Sequence, residues 1–168
     1  LLENTINLIE TLGIKNIFLN TFYLKDQIKT YLNNKNFKFF INIIDDGDEI
    51  LDTGGGIKNM INNSNEKDFL IFNSDTVWDL NYINCIKQMQ VFYKKNNAKN
   101  VLLVVNKKIS FDKNFRGDFN LKKKLLKKKL NNEYIYTGCQ ILNRDLLDTK
   151  NKKIFSITEI WNELIKKN

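Results

Sequence analysis

Two short stretches of this chain combine residue types and spacing suited to chemistry. One reads Asp52-Thr53-Gly54-Gly55-Gly56-Ile57, and the other, about a dozen residues later, Phe69-Leu70-Ile71-Phe72-Asn73-Ser74-Asp75. A glycine run opening a short helix is a place where backbone amides can face an anion. An apolar strand running into an aspartate places a carboxylate at the edge of a sheet, where it can hold Mg²⁺. Three adjacent glycines in a chain that has only seven call for a backbone reason, because each costs conformational entropy in the fold. Close approach of a nucleotide or a sugar is one such reason. The run matches neither the phosphate loop of nucleoside triphosphatases nor the dinucleotide fingerprint. Together the two stretches predict a site for a metal-bound nucleotide phosphate, with Asp75 as the metal-holding carboxylate and Asn73 and Ser74 beside it as hydrogen-bonding groups.

Other chemistry is excluded or weak. The chain has no histidine, which removes a His-based zinc site and a histidine general base. Its two cysteines, Cys85 and Cys139, show no metal-ligand spacing and read as small buried thiols. The net charge is +8, but Lys and Asn are abundant throughout, proline is absent and Ala98 is the only alanine. That composition reads as a drift in codon usage rather than as selection for a polyanionic partner. The basic run Lys122 to Lys129 has no interleaved aromatic residues on which bases would stack, so it reads as a solvated loop or helix. No nucleic-acid partner is expected.

The elements that must position the site follow from periodicity. Helical spacing covers residues 2–12, 24–32, 80–93 and 155–167, with Gly13 in a C-cap position, Asp79 as a candidate N-cap, and Ser156 with Glu159 as a candidate capping box. Apolar runs at 14–19, 37–44, 68–72 and 101–105 read as strands, Asp45-Asp46-Gly47-Asp48 as a turn, and Ile57–Ile61 as a short helix after the glycines. Shorter strands are predicted at 117–121 and 134–142. In the first hundred or so residues helices and wholly apolar strands alternate, the pattern of a mostly parallel sheet covered on both faces. With no internal repeat and no linker composition, residues 1–168 read as one domain. No apolar run approaches the ~20 residues that span a bilayer, and nothing reads as a signal peptide. A cytoplasmic protein with no membrane partner is expected. Position 1 is Leu, so the chain is expected to be a fragment or a trimmed product.

The string Ile50-Leu51-Asp52-Thr53-Gly54-Gly55-Gly56-Ile57, then Phe69 to Asp75, then Gly117-Asp118-Phe119 and Tyr136-Thr137-Gly138, resembles the sugar-1-phosphate nucleotidyltransferases. Within that family it is most similar to the N-acetylmuramate-1-phosphate uridylyltransferase and mannose-1-phosphate guanylyltransferase-like branch. The opening segment, Gly13-Ile14-Lys15-Asn16-Ile17-Phe18-Leu19-Asn20 between two helices, resembles it too. The resemblance implies a Rossmann-like three-layer α/β/α sandwich. It also implies a reaction in which a sugar-1-phosphate oxygen attacks the α-phosphorus of a nucleoside triphosphate and pyrophosphate leaves, with Mg²⁺ neutralising charge. Asp75 would then ligate Mg²⁺, Asp52 through Gly56 and Asn73 would lie against the nucleotide, and Gly117, Asp118, Thr137 and Gly138 would line the sugar side. The family pattern also has an opening Gly-rich loop with Thr and Arg, a Lys-Pro pair, and a later second metal-binding Asp. None of these lies within this sequence, and Asp52 stands where Glu is expected and Ser74 where Gly is. This polypeptide alone is therefore expected to be inactive or slow. A non-catalytic sugar-nucleotide-binding homologue and a metal-dependent glycosyltransferase are the alternatives, the latter disfavoured because Asp75-Thr76-Val77 is not Asp-x-Asp. Oligomeric state is not legible.

Overall fold

In the computed structural model, which describes residues 1–167, helix and strand alternate as the periodicity predicts: α1 (Leu2–Thr11), β1 (Asn16–Thr21), α2 (Lys25–Asn33), β2 (Phe40–Asp45), α3 (Asp52–Ile61), β3 (Asp68–Phe72), α4 (Tyr82–Lys95) and β4 (Asn100–Asn106). Gly13 ends α1 at φ +76°, a left-handed position that glycine adopts at little cost. The chain then departs from this alternation. A hairpin of β5 (Asn120–Lys122) and β6 (Leu125–Lys127) leads into the long β7 (Tyr134–Asn143), the short α5 (Asp145–Asp148) and the closing α6 (Ile157–Lys167).

The expectation of a mostly parallel sheet needs correction. β1 and β2 pair in parallel, but β7 inserts between β3 and β4 and runs antiparallel to both. The reason is the connection. Parallel neighbours need a crossover, usually a helix, whereas β4 and β7 are joined by an excursion without one, so the chain folds back on itself. The register slips between Leu102 and Val104, and there the Thr137 hydroxyl donates to the Leu103 carbonyl at 3.0 Å.

Side-chain alternation on β7 sorts the helices into two layers. Cys139 and Ile141 face a cluster with Leu8 of α1, Trp78, and Ile86, Met89 and Tyr93 of α4. Leu142 faces the opposite cluster, with Ile57 and Ile61 of α3, Leu147 of α5, and Ile160 and Trp161 of α6. Gln140, buried on that second side, accepts from Trp161 Nε1 at 3.2 Å and from Asn100 Nδ2 at 3.1 Å, so its carbonyl is satisfied.

Two local readings also change. The basic run is largely exposed, as read, but Lys122–Lys127 forms most of the β5–β6 hairpin rather than a loop or helix, and Lys123 and Lys124 turn it at φ +50° and +67°. Lys124 and Lys128 lie over the rings of Phe92 and Phe119. The capping box at α6 does not close: Ser156 Oγ accepts from Thr158 N at 3.3 Å, while Glu159 pairs with Lys152 at 3.4 Å.

Candidate functional site

The carboxyl ends of β1, β2 and β3 converge at one rim. β1 ends in Asn20-Thr21, β2 runs into Asp45-Asp46, and β3 leads into Asn73-Ser74-Asp75. Between β1 and β3 opens a cleft of about 1090 Å³, and Asn20, Asp52, Thr53, Asn73, Ser74 and Asp75 lie among its lining residues. The two stretches singled out in the sequence therefore reach a common cleft at the strand ends, where ligands bind in open α/β sheets.

The segment carrying Asp75 is pinned on several sides. Asn73 N donates to the Gly138 carbonyl at 2.7 Å, Trp78 Nε1 donates to the Asn73 carbonyl at 2.8 Å, and the Thr76 hydroxyl donates to the Thr137 carbonyl at 3.1 Å. Trp78 is 1% exposed and makes edge contacts with Phe72 and Tyr82. Gly138 adopts φ +91°, and a Cβ there would lie 2.9 Å from Asn73 Cβ and 3.0 Å from Thr76 Oγ1. Only glycine allows β7 to touch this turn. Held in this way, the Asp75 side chain is exposed and enters no ion pair among the described residues.

The triple glycine does something other than cradle an anion with all its amides. It lies inside α3 and is buried. Gly54 N and Gly55 N both donate to the Phe155 carbonyl, at 2.9 and 3.1 Å. A Cβ on Gly54 would sit 2.4 Å from the Phe155 ring, and one on Gly55 would sit 2.3 Å from the Lys153 carbonyl oxygen. The first turn of α3 thus presses against the segment before α6, and side chains are excluded by that contact. Asp52 opens the helix at φ +58°, and its Oδ1 accepts from the Thr53 hydroxyl at 3.1 Å. Thr53 Oγ1 in turn accepts from Ile157 N at 3.1 Å, satisfying a free amide at the start of α6.

Gly56 faces a polar cluster that includes Asp46, in the segment whose sequence reads as a turn. Its Cβ would meet Asn20 Nδ2 at 2.9 Å. Asp46, 8% exposed, accepts from Asn20 Nδ2 at 2.6 Å and from Asn59 Nδ2 at 2.9 Å. These contacts orient Asn20 at the mouth of the cleft. The available signal was position: Asp46 directly follows an apolar strand, as Asp75 nearly does.

Gly117 and Asp118 stand apart from the cleft lining. Asp118 Oδ2 accepts from Tyr136 N at 2.8 Å, and a Cβ on Gly117 would lie 2.5 Å from the Asn132 carbonyl oxygen. Asp118 fastens the segment before the hairpin to β7, and Gly117 packs on the residues that lead into β7. Thr137 and Gly138 adjoin the Asp75 segment through the bonds described above. Of the two cysteines, Cys139 is buried as expected and its thiol is pushed up to about 12 by burial. Cys85, on the outer side of α4, is exposed, which corrects the expectation for that residue.

No group of three or more acidic or thiol side chains able to hold a metal occurs among the described residues. A single carboxylate such as Asp75 still fits Mg²⁺, which keeps several waters and binds through one or two carboxylates plus substrate phosphates. Lys15 is the one cation among the residues lining the cleft, and it precedes β1 at the end away from Asp75.

The architecture is the mixed α/β fold of nucleotidyltransferases with a Rossmann-like core. HddC from Yersinia pseudotuberculosis matches with a TM-score of 0.67 at 21% identity over 90% of this chain and 66% of its own, and it has also been solved complexed with GMP-PN. The inositol-1-phosphate CTP transferase from T. maritima matches with a TM-score of 0.75 at 9% identity over 99% of this chain and 69% of its own. A UDP-glucose pyrophosphorylase complexed with UDP-glucose matches with a TM-score of 0.71 at 13% identity over 99% and 75%. The chain thus spans about two thirds of the length of the first of these structures. By sequence, no family model and no curated protein matches.

Proposed function

We propose that this chain is the nucleotide- and sugar-binding part of a nucleotidyltransferase. That enzyme joins a nucleoside triphosphate, UTP in preference to GTP, to a hexose-1-phosphate and releases pyrophosphate. The observation that carries the reading is the exposed Asp75 carboxylate, free of an ion pair among the described residues, at a cleft on the carboxyl ends of the strands. The likeness in fold to nucleotidyltransferases supports it.

In this reading the chain's own residues position and orient. Asp75 holds Mg²⁺, which supplies charge neutralisation on the phosphates when bound. Asn73 and Thr53 offer hydrogen bonds to the nucleotide and Asp52 borders it, while Gly56, Thr137 and Gly138, which do not line the cleft, back the Asn20 and Asp75 segments that do. Gly54 and Gly55 support this arrangement from behind by fixing α3. Gly117 and Asp118 act through β7, since neither lines the cleft. With Lys15 the one lining cation, the cleft offers the triphosphate little positive charge, and the chain alone turns over slowly or not at all.

The test is a thermal-shift panel of UTP, GTP, UDP-sugars and GDP-sugars on this chain, with and without Mg²⁺. A Mg²⁺-dependent rise for one nucleotide class supports the reading, because a ligand at 100 times its Kd stabilises by about 2.7 kcal/mol. In the protein carrying the flanking coding sequence, Asp75→Asn should lower kcat by about 10²-fold or more. Near-normal turnover in that variant overturns the assignment.

A further inference from the structure

The net charge of the chain is not spread over its surface. The excursion between β4 and β7, residues 107–133, holds ten of the 27 basic residues and three of the 19 acidic ones. The rest of the chain holds 17 and 16, so seven of the eight net charges sit on this arm. A drift in codon usage spreads lysine through a chain, but only here is it left unbalanced by acids. None of the arm's ten cations enters an ion pair among the described residues, whereas seven of the other 17 do. The arm is a folded lobe: Lys107 N donates to the Glu133 carbonyl at 2.8 Å, Asn120 Nδ2 to the Asn131 carbonyl at 2.9 Å, and Lys113 Nζ to the Ser110 carbonyl at 2.9 Å. The same lobe leaves Ile109, Phe111, Phe115, Leu121, Leu125 and Leu130 exposed. Phe111 and Leu130 are the most exposed large apolar side chains among the described residues. Single exposed apolar residues are ordinary, but six among ten cations without ion pairs mark an interaction surface.

We propose that the 107–133 arm is a docking surface for an anionic lipid bilayer. Its lysines are drawn to the charged headgroups, an attraction that accumulates along a basic segment. Ile109, Phe111 and Leu130 supply apolar side chains that enter the boundary between headgroups and acyl chains. Buried Phe119 and partly buried Leu126 hold the lobe from the inner side, in the cluster with Ile160 and Trp161. The chemistry favours lipid over two other partners. Nucleic acid is gripped through arginine forks and stacked rings, yet nine of the ten cations are lysine and four of the six exposed apolar side chains are aliphatic. A second copy offers no net opposing charge, because the rest of the chain balances 17 cations with 16 acids. β3 and β4 both run antiparallel to β7 and so point the same way, and the arm leaves from the carboxyl end of β4. It springs from the edge of the sheet that carries Asp75, so docking holds that edge close to the bilayer.

The test needs no nucleotide, so its outcome is separate from that of the catalytic reading. The chain is sedimented with vesicles of phosphatidylcholine alone and of phosphatidylcholine with about one third phosphatidylglycerol. Partition onto the anionic vesicles should be at least about 10-fold stronger and should weaken as salt rises. Lys122→Gln, Lys123→Gln and Lys129→Gln together should weaken it about 100-fold, at about fivefold for each lysine near the surface. The same charge loss off the arm, Lys38→Gln with Lys87→Gln and Lys95→Gln, should weaken it by less than about threefold. Phe111→Ser with Leu130→Ser should weaken it about 10-fold at any salt concentration. All eight positions are exposed, and an unchanged urea midpoint checks that each variant keeps its fold. Equal partition onto both vesicle types, or none, overturns the proposal. So does an equal loss from the two lysine sets, which would make net charge alone the cause, or full binding by the Phe111 and Leu130 variant. Displacement from the vesicles by single-stranded RNA would assign the arm to nucleic acid instead, and dimers that the arm's lysine variants abolish would assign it to a second copy.

Discussion

At the scale of single residues, the glycines separate packing from ligand contact. A methyl on Gly54 would sit 2.4 Å from the Phe155 ring and 2.8 Å from its carbonyl oxygen, inside the closest approach that side chains show. Gly54→Ala should therefore destabilise the chain by about 2 kcal/mol, as overpacking does, measured as a lower urea midpoint at unchanged slope. Nucleotide affinity of the remaining folded fraction should be unchanged. Lost affinity at full stability would mean that Gly54 faces the ligand after all. The run of glycines was legible in the sequence, but its cause was not. Helical pressure against residues a hundred positions away leaves no local signature. The cysteines offer a second test. Burial pushes the Cys139 thiol up to about 12, so it stays protonated at neutral and mildly alkaline pH. One cysteine, the exposed Cys85, should label with iodoacetamide at pH 8 in the native chain, and both in urea; mass spectrometry of the labelled peptides reads the difference.

At the scale of elements, local periodicity placed α1, β3, α4, β4 and α6 within a few residues of where they lie, because each has a buried stripe or a wholly apolar run. It missed β6 and α5, whose three and four residues are too short to show a period, and it missed the direction of β7. Strand direction depends on what connects the strands, and the 107–133 excursion carried no signal that it lacked a crossover helix. Pairing between elements is likewise a tertiary property, and Thr53 shows it. Read as a residue facing a nucleotide, it also joins α3 to α6 by accepting from Ile157 N at 3.1 Å. Thr53→Val keeps the shape and deletes the acceptor, and should cost about 1 kcal/mol, the usual loss when a helix-start amide loses its partner. Thr53→Ser should recover most of it. If Val and Ser behave alike in chemical denaturation, the bond contributes nothing and α6 is held by Ile157, Ile160 and Trp161 alone.

At the scale of the whole molecule, the apolar core is unevenly shared. Neither hydrophobic cluster includes a residue between 13 and 56, and Leu32 is the one fully buried large hydrophobic side chain in the span 13–50. In the same span Phe22, Tyr23, Leu24, Phe40 and Ile50 are exposed. β1 and β2 therefore form a small parallel sheet held to the remainder mainly through α3 and the Asn20–Asp46–Asn59 hydrogen bonds. Burial of apolar surface sets the cost of opening, at about 25 cal/mol per Å², so this part should open well before the sheet of β3, β7 and β4. In hydrogen exchange on residues 1–168, amides of β1 and β2 should open at least about 2 kcal/mol more easily than those of β7, and limited proteolysis should cut first in the span 22–50. Asp46→Ala should widen that gap, because it leaves Asn20 and Asn59 without their shared acceptor. Uniform protection across the strands would mean that the β1–β2 sheet and the β3–β7–β4 sheet open as one cooperative unit, with the sparse core around β1 and β2 carrying no energetic consequence.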